Sequence, residues 1–167
     1  MKNKFKILTF VMIIISLSLI GCGSNSSKTS SKGVKTYDLV KYKGSYVGDN
    51  SSVANIIAKL PANDYSSGFS LQTKKEPYGI TINYKANQNL GKENYNKFWI
   101  DKKVNEFLEK NAVVLLSVIQ NADVIEFNVD KIGEKSYKYD RKSLEQKYGG
   151  KLKDLFKDDA SFEKFLR

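Results

Sequence analysis

The sequence predicts an α+β fold: a single two-layer domain in which an antiparallel sheet of about four strands carries helices on one face, in the order α-β-β-α-β-β-α-α. Three observations lead there. Short runs such as Phe69, Leu71, Thr73 alternate with polar neighbours, as half-buried strands do, while longer runs repeat apolar residues at the three- and four-residue steps of a helix. The third is length, because the 146 residues after Gly21 suffice for one domain with a real core and are too few for two.

The folded part is expected to begin between Val34 and Tyr42, and the domain is drawn as residues 37–167. Val53, Ile56, Ile57 and Leu60 form one stripe of a first helix, with Asp49 as its cap, Asn50 or Ser51 as one-residue alternatives, and Pro61 beyond its end. Phe69, Leu71 and Thr73, then Ile80, Ile82 and Tyr84, make a hairpin about the Glu76-Pro77-Tyr78-Gly79 turn. From Trp99 to Asn121 the periodicity is helical through Ile100, Val104, Phe107, Leu108, Leu115, Val118 and Ile119. Its second half, AVVLLSVI, is apolar nearly all round and should be buried on more than one side. A strand competes there, since half of those residues are β-branched, but the clearer strand Val124 to Val129 follows at once. Tyr137 and Tyr139 mark a fourth strand, Asp140 caps a helix from Arg141 to Tyr148 that Gly149 ends, and short helices near Leu152 to Phe156 and Phe162 to Leu166 close the chain.

Ahead of the domain, Lys2, Lys4 and Lys6 precede an apolar run from Ile7 to Ile20. That is the charged and apolar pattern of an export signal, and the run is short for a permanent span, which needs roughly 20 apolar residues. It ends in Leu19-Ile20-Gly21-Cys22, which resembles the lipobox of bacterial lipoproteins. The resemblance implies a signal peptide over residues 1–21, cleavage between Gly21 and Cys22, and a diacylglyceryl group on the Cys22 sulfur, with a palmitate-type acyl chain added when the new amino terminus is acylated. An ordinary secretory signal, or an uncleaved short anchor with an incidental cysteine, is the alternative. Two acyl chains anchor stably where one is marginal. No second cysteine is present to pair with Cys22. The next eleven residues, GSNSSKTSSKG, read as a polar tether within residues 22–36, spanning about 17 to 20 Å as a random coil. The expected location is therefore the extracytoplasmic face of the cell membrane.

Charge narrows the partners. Loss of residues 1–21 removes three lysines and no acid, so the net charge falls from +10 to +7. Such a domain is drawn to anionic lipid head groups or an anionic wall polymer, although a lysine-rich face that only confers solubility reads the same way. Arg141 and Arg167 are the only arginines, so planar clamps on phosphate are scarce. Nucleic acid is not an expected partner of an exported lipidated domain.

Three stretches, Tyr46-Val47-Gly48-Asp49-Asn50-Ser51, Leu71-Gln72-Thr73 with Pro77-Tyr78-Gly79-Ile80, and Asn111-Ala112 through Asp123-Val124-Ile125-Glu126-Phe127, carry a further likeness. Over about Tyr42 to Asp130 the chain resembles an uncharacterised domain of Gram-positive lipoproteins, also attached to membrane metallopeptidases of the β-lactam-sensor type. The resemblance implies location and fold, with a link to envelope sensing by association alone. The peptidase activity of fused relatives does not transfer, because no His-Glu-x-x-His exists in a chain without histidine.

That missing histidine also removes Ser-His-Asp and Cys-His arrangements and histidine zinc sites. No cofactor or metal site is expected. Ser161-Phe162-Glu163-Lys164 has the Ser-x-x-Lys spacing of serine acyl-enzymes, but the companion Lys-Thr-Gly is missing and a helix start explains the serine better. Asp158-Asp159 read as caps before that helix. Gly44 to Gly48 lacks the spacing of a phosphate loop. Tyr42, Tyr46, Tyr78, Tyr137 and Tyr139 lie near lysines and suit either a glycan or peptide surface or half-buried strands. The function expected is a non-enzymatic binding or regulatory module of the cell envelope, for which a contiguous apolar patch would favour a protein partner. Its rival is a hydrolase of wall or glycan material using two carboxylates about 5 to 10 Å apart in a cleft. A solute-binding lipoprotein is strained by the small size.

Overall fold

The computed structural model describes residues 37–100, 103–130 and 135–167. Gly21, Cys22 and the signal and tether expected over residues 1–36 lie outside the described residues.

Asp49 starts α1 (Asn50–Lys59): its carboxylate accepts the Ser52 N–H, and Val53, Ile56, Ile57 and Leu60 are all buried as their spacing requires. Strands β1 (Ser66–Gln72) and β2 (Gly79–Tyr84) then form the expected antiparallel hairpin, although Thr73 falls beyond the end of β1 and is exposed. Two helices follow, α2 (Gly91–Ile100) and α3 (Val104–Val118), then β3 (Val124–Val129), β4 (Lys135–Asp140), α4 (Arg141–Tyr148) and α5 (Asp159–Leu166). The single long helix expected from Trp99 is thus two, with Trp99 and Ile100 closing the first. Gly91 to Asn96 offers only Tyr95 as an apolar landmark, so the spacing misses the first helix. Near Leu152 to Phe156 the chain makes a 3-10 turn at Leu152–Asp154 instead of a helix.

The sheet runs β1-β2-β3-β4 and is mixed, which corrects the expectation of an all-antiparallel sheet. Its outer pairs are antiparallel, but β2 and β3 are parallel, Ile80 beside Ile125 and Ile82 beside Phe127. The reason is the connection: a parallel pair needs a long crossover, and α2 and α3 supply one that returns the chain to the starting end of β2. There the Tyr78 carbonyl accepts the N–H groups of Asp123 and Val124. The two strands come so close that a Cβ on Gly79 would stand 3.2 Å from the Val124 carbonyl oxygen.

Alternation gives the sheet one dry face. Ile80, Ile82, Tyr84, Ile125, Phe127, Val129 and Tyr139 point into the core, where Leu108, Ala112 and Leu115 of α3 and Trp99 of α2 are fully buried. AVVLLSVI is buried throughout, as expected of a segment apolar on all sides, and is helical up to Val118, where the helix ends earlier than expected and Ile119 turns extended to bridge Ser45; α5 and the 3-10 turn cover the part that the sheet does not. Arg141 locks its far end: Nε donates to the Ala122 carbonyl and Nη2 to the Ile119 carbonyl, both at 2.8 Å. Two carbonyls of the turn between α3 and β3 are thereby satisfied by one planar cation. Asp159 does the same for the start of the domain, its Oδ1 accepting the N–H groups of Leu39 at 2.6 Å and Val40 at 3.0 Å.

Candidate functional site

Among the described residues, no helix packs on the second face of the sheet. Strand register lines up Ser70, Thr81, Glu126 and Lys138 in one row and Asn83, Asn128 and Ser136 in the next. Ser136 Oγ donates to Glu126 Oε1 at 2.6 Å, and Asn128 Nδ2 donates to Asn83 Oδ1 at 3.0 Å. That amide pair leaves Asn83 Nδ2 as a donor and Asn128 Oδ1 as an acceptor outside the bond. Around it opens a cleft of about 460 Å³, whose lining includes Ser67, Lys85, Asp130 and Lys135. Hydroxyls, carboxamides and lysines can hold a polar ligand by hydrogen bonds. Asp130 is the one acid of the described cleft lining, and the Ser136 hydroxyl is paired with Glu126 of the neighbouring row.

The residues singled out in the sequence do not converge there. Ser161 is spent on the start of α5: its Oγ donates to the Asp158 carbonyl at 2.6 Å, and its N–H donates to Asp158 Oδ1 at 2.8 Å. Asp158 is the expected cap, but Asp159 is the clamp on Leu39 and Val40. Gly44 to Gly48 is fastened to the end of α3: Gly44 N–H donates to the Val118 carbonyl, and Val47 N–H to Asn121 Oδ1. Tyr139 is buried with its hydroxyl 2.9 Å from the Asn105 carbonyl oxygen, to which it donates, and burial pushes that hydroxyl's pKa well up. Tyr42, Tyr78 and Tyr137 are half-buried, leaving only Tyr46 of the five exposed.

Two tests of function follow from this geometry. The exposed large apolar side chains among the described residues are Tyr46, Leu90 and Ile100. Leu90 and Ile100 stand at opposite ends of α2, roughly 15 Å apart, so no contiguous apolar patch forms there. Each of the four described clefts is lined by a single carboxylate, Asp130, Glu163, Glu106 or Glu126, so none supplies the pair that a glycan hydrolase needs. No group of three potential metal-ligating side chains occurs among the described residues, and none of their helices is long and apolar enough to cross a membrane.

The sequence model of a family described as a domain of unknown function, DUF4825, matches residues 39–140. The chain belongs to the DUF4825 family. The match takes in the whole sheet and α1 to α3, and therefore both polar rows of the open face; α4 and α5 lie beyond it. Neither a curated protein nor a solved structure matches this DUF4825 chain. The polar rows themselves escape sequence reasoning, because Asn83, Asn128 and Ser136 look like ordinary solvent-facing strand positions. Their one signal is that the alternation in β2 and β3 gives the outward positions to Thr81, Asn83, Glu126 and Asn128 and to no lysine.

Proposed function

We propose that this chain is a lipoprotein held on the extracytoplasmic face of the cell membrane by a lipid on Cys22, and that its DUF4825 domain is a non-enzymatic module binding an envelope component at the open sheet face. The observation that carries the binding role is that bare face: two rows of hydroxyls and carboxamides beside a cleft of about 460 Å³. A sheet whose dry face is covered by helices needs no layer on its polar face, so the polar face stays available for a hydrogen-bonding partner such as a wall glycan or a polar protein surface. The lipobox-like Leu19-Ile20-Gly21-Cys22 supports the anchor. The hydrolase reading loses its footing with the single carboxylate in each cleft.

A photo-crosslinking residue at Asn128 in the full chain, irradiated in intact cells, tests the binding face. A discrete adduct from position 128, absent when the same residue replaces the exposed Lys92 of α2, is expected. Identical patterns from both positions, or none from either, would remove the sheet face as the binding surface.

A further inference from the structure

On the other side of the domain, where the described chain starts, a second groove of about 420 Å³ lies between α2, α3 and the end of α5. Phe98 and Phe107 form its aromatic wall, and Lys103, Lys110 and Arg167 supply its charge. We propose that this groove is the membrane-facing surface of the domain, seating the anionic head groups of the bilayer in which the chain is anchored. The proposal rests on the lipid-anchor reading above and adds the orientation of the domain to it.

Helix geometry separates the two surfaces. At 100° per residue, Lys103, Glu106, Phe107 and Lys110 make one stripe of α3, while Asn105, Leu108 and Ala112 lie roughly half a turn round the helix. The latter stripe faces the sheet: Leu108 and Ala112 are fully buried, and Asn105 meets the hydroxyl of Tyr139 on β4. The groove therefore opens on the helical side and the polar rows open on the opposite side, so one can meet a bilayer while the other points away from it.

Three observations fix the occupant as an anionic bilayer. The first is charge. Arg167 also lines an adjoining cleft with Lys164, so four cations stand over Glu106 and Glu163. The acids offset only part of this: Lys103 lies 3.4 Å from Glu106, Arg167 is paired with Glu163, and Lys110 sits 5.8 Å over the Phe165 ring. The second is chain position. Tyr37, the first described residue, lines the groove itself, and the fifteen-residue step back to Cys22 reaches at most about 54 Å in any conformation. A lipid on Cys22 thus lets this side of the domain reach the head groups. The third is Ile100, 66 % exposed at the end of α2, two residues beyond Phe98. An exposed apolar side chain at the end of the helix that carries Phe98 suits the head-group boundary, where apolar and cationic side chains are both accommodated.

The test places the full chain, purified from membranes, in nanodiscs of phosphatidylcholine alone or with about 30 % phosphatidylglycerol. Lysine reactivity toward an amine-acylating reagent is then read by mass spectrometry. Lys103 and Lys110 should lose about threefold or more of their reactivity when phosphatidylglycerol is present, a size in keeping with a surplus of two cations at an anionic surface. Lys74 and Lys75, at the tip of the β1–β2 hairpin, should not change. Ile100→Asp, at an exposed site where folding tolerates it, should restore reactivity toward the phosphatidylcholine value. Equal reactivity in both discs overturns the proposal, as does protection that grows with protein concentration in both, which would mark a second copy as the occupant. Intact mass of the same sample separates the two readings. Lipid on Cys22 with unprotected lysines sinks the groove alone, whereas protected lysines without lipid on Cys22 leave the groove standing and sink the anchor.

Discussion

Replacing Arg141 should unfasten the end of α3 and measurably destabilise the domain. Its guanidinium makes two bonds of 2.8 Å to the carbonyls of Ile119 and Ala122, and its side chain is only 18 % exposed, 3.8 Å from Glu145. A hydrogen bond to a charged group contributes about 1.5 to 3 kcal/mol, and the acceptors at these turns would be left in a largely dry site. Arg141→Ala is therefore expected to cost about 3 kcal/mol or slightly more. Arg141→Lys keeps the charge, but a compact ammonium reaches one carbonyl well and not both, so about half that loss should remain. With a urea slope of roughly 1.5 kcal/mol per M for a domain of this size, the midpoints should fall by about 2 M and about 1 M. Trp99, the sole tryptophan and fully buried, reports the transition by fluorescence. An Arg141→Lys midpoint equal to wild type, or an alanine midpoint lowered by less than about 0.5 M, would refute the two-carbonyl clamp.

Asp159→Ala should free the Leu39 and Val40 N–H groups, speeding amide exchange there at least tenfold while α3 exchange changes less; uniform acceleration would mean that Asp159 supports the whole fold instead. Ser161→Ala should cost about 1 kcal/mol in urea unfolding through loss of its capping role, and a loss of under about 0.3 kcal/mol would contradict that role. At low pH, the Ser143 backbone N–H and hydroxyl hold the Asp140 carboxyl below its usual 3.8, and the Ser52 hydroxyl and N–H do likewise for Asp49. Both caps then contribute above about pH 4 and fade as pH falls through their lowered values, so urea midpoints should drop below pH 4 and drop less in Asp140→Asn. At high pH the sign reverses. Burial pushes Tyr95 and Tyr148 up to about 12, and Tyr84 and Tyr139 higher still. Their contribution is complete below about pH 10 and is lost as pH rises toward 12, so absorbance at 295 nm should show these four ionising only with unfolding. Four tyrosines titrating freely near pH 10 in the folded protein would contradict their burial.

Local chemistry made much of the fold readable. Asp49 and Asp140 each cap the helix that their position announced, Gly149 ends α4 with φ +73°, and alternation sorted Ile80, Ile82, Ile125 and Phe127 into the core. The parallel β2–β3 pair was not readable, because a strand with Ile80 and Ile82 inward alternates identically in either direction. Likewise, α2 has little apolar periodicity until Tyr95, Phe98 and Trp99, so the sequence blends its end into α3. Residues drawn together by long-range contact were the hardest: Asp159 looked like a cap and is bonded 120 residues away, and Arg141 looked like the start of a helix and holds the end of another. The open face follows the same pattern. Asn83 and Asn128 are 45 residues apart and become a pair only through strand register.

A lipid on Cys22 is the premise of the proposed location, and Cys22→Ser expressed in cells and fractionated tests it most directly. Loss of the processed, membrane-held form, with the chain left as uncleaved precursor or released to the soluble fraction, is the predicted result. Membrane retention with processing unchanged from wild type would contradict it.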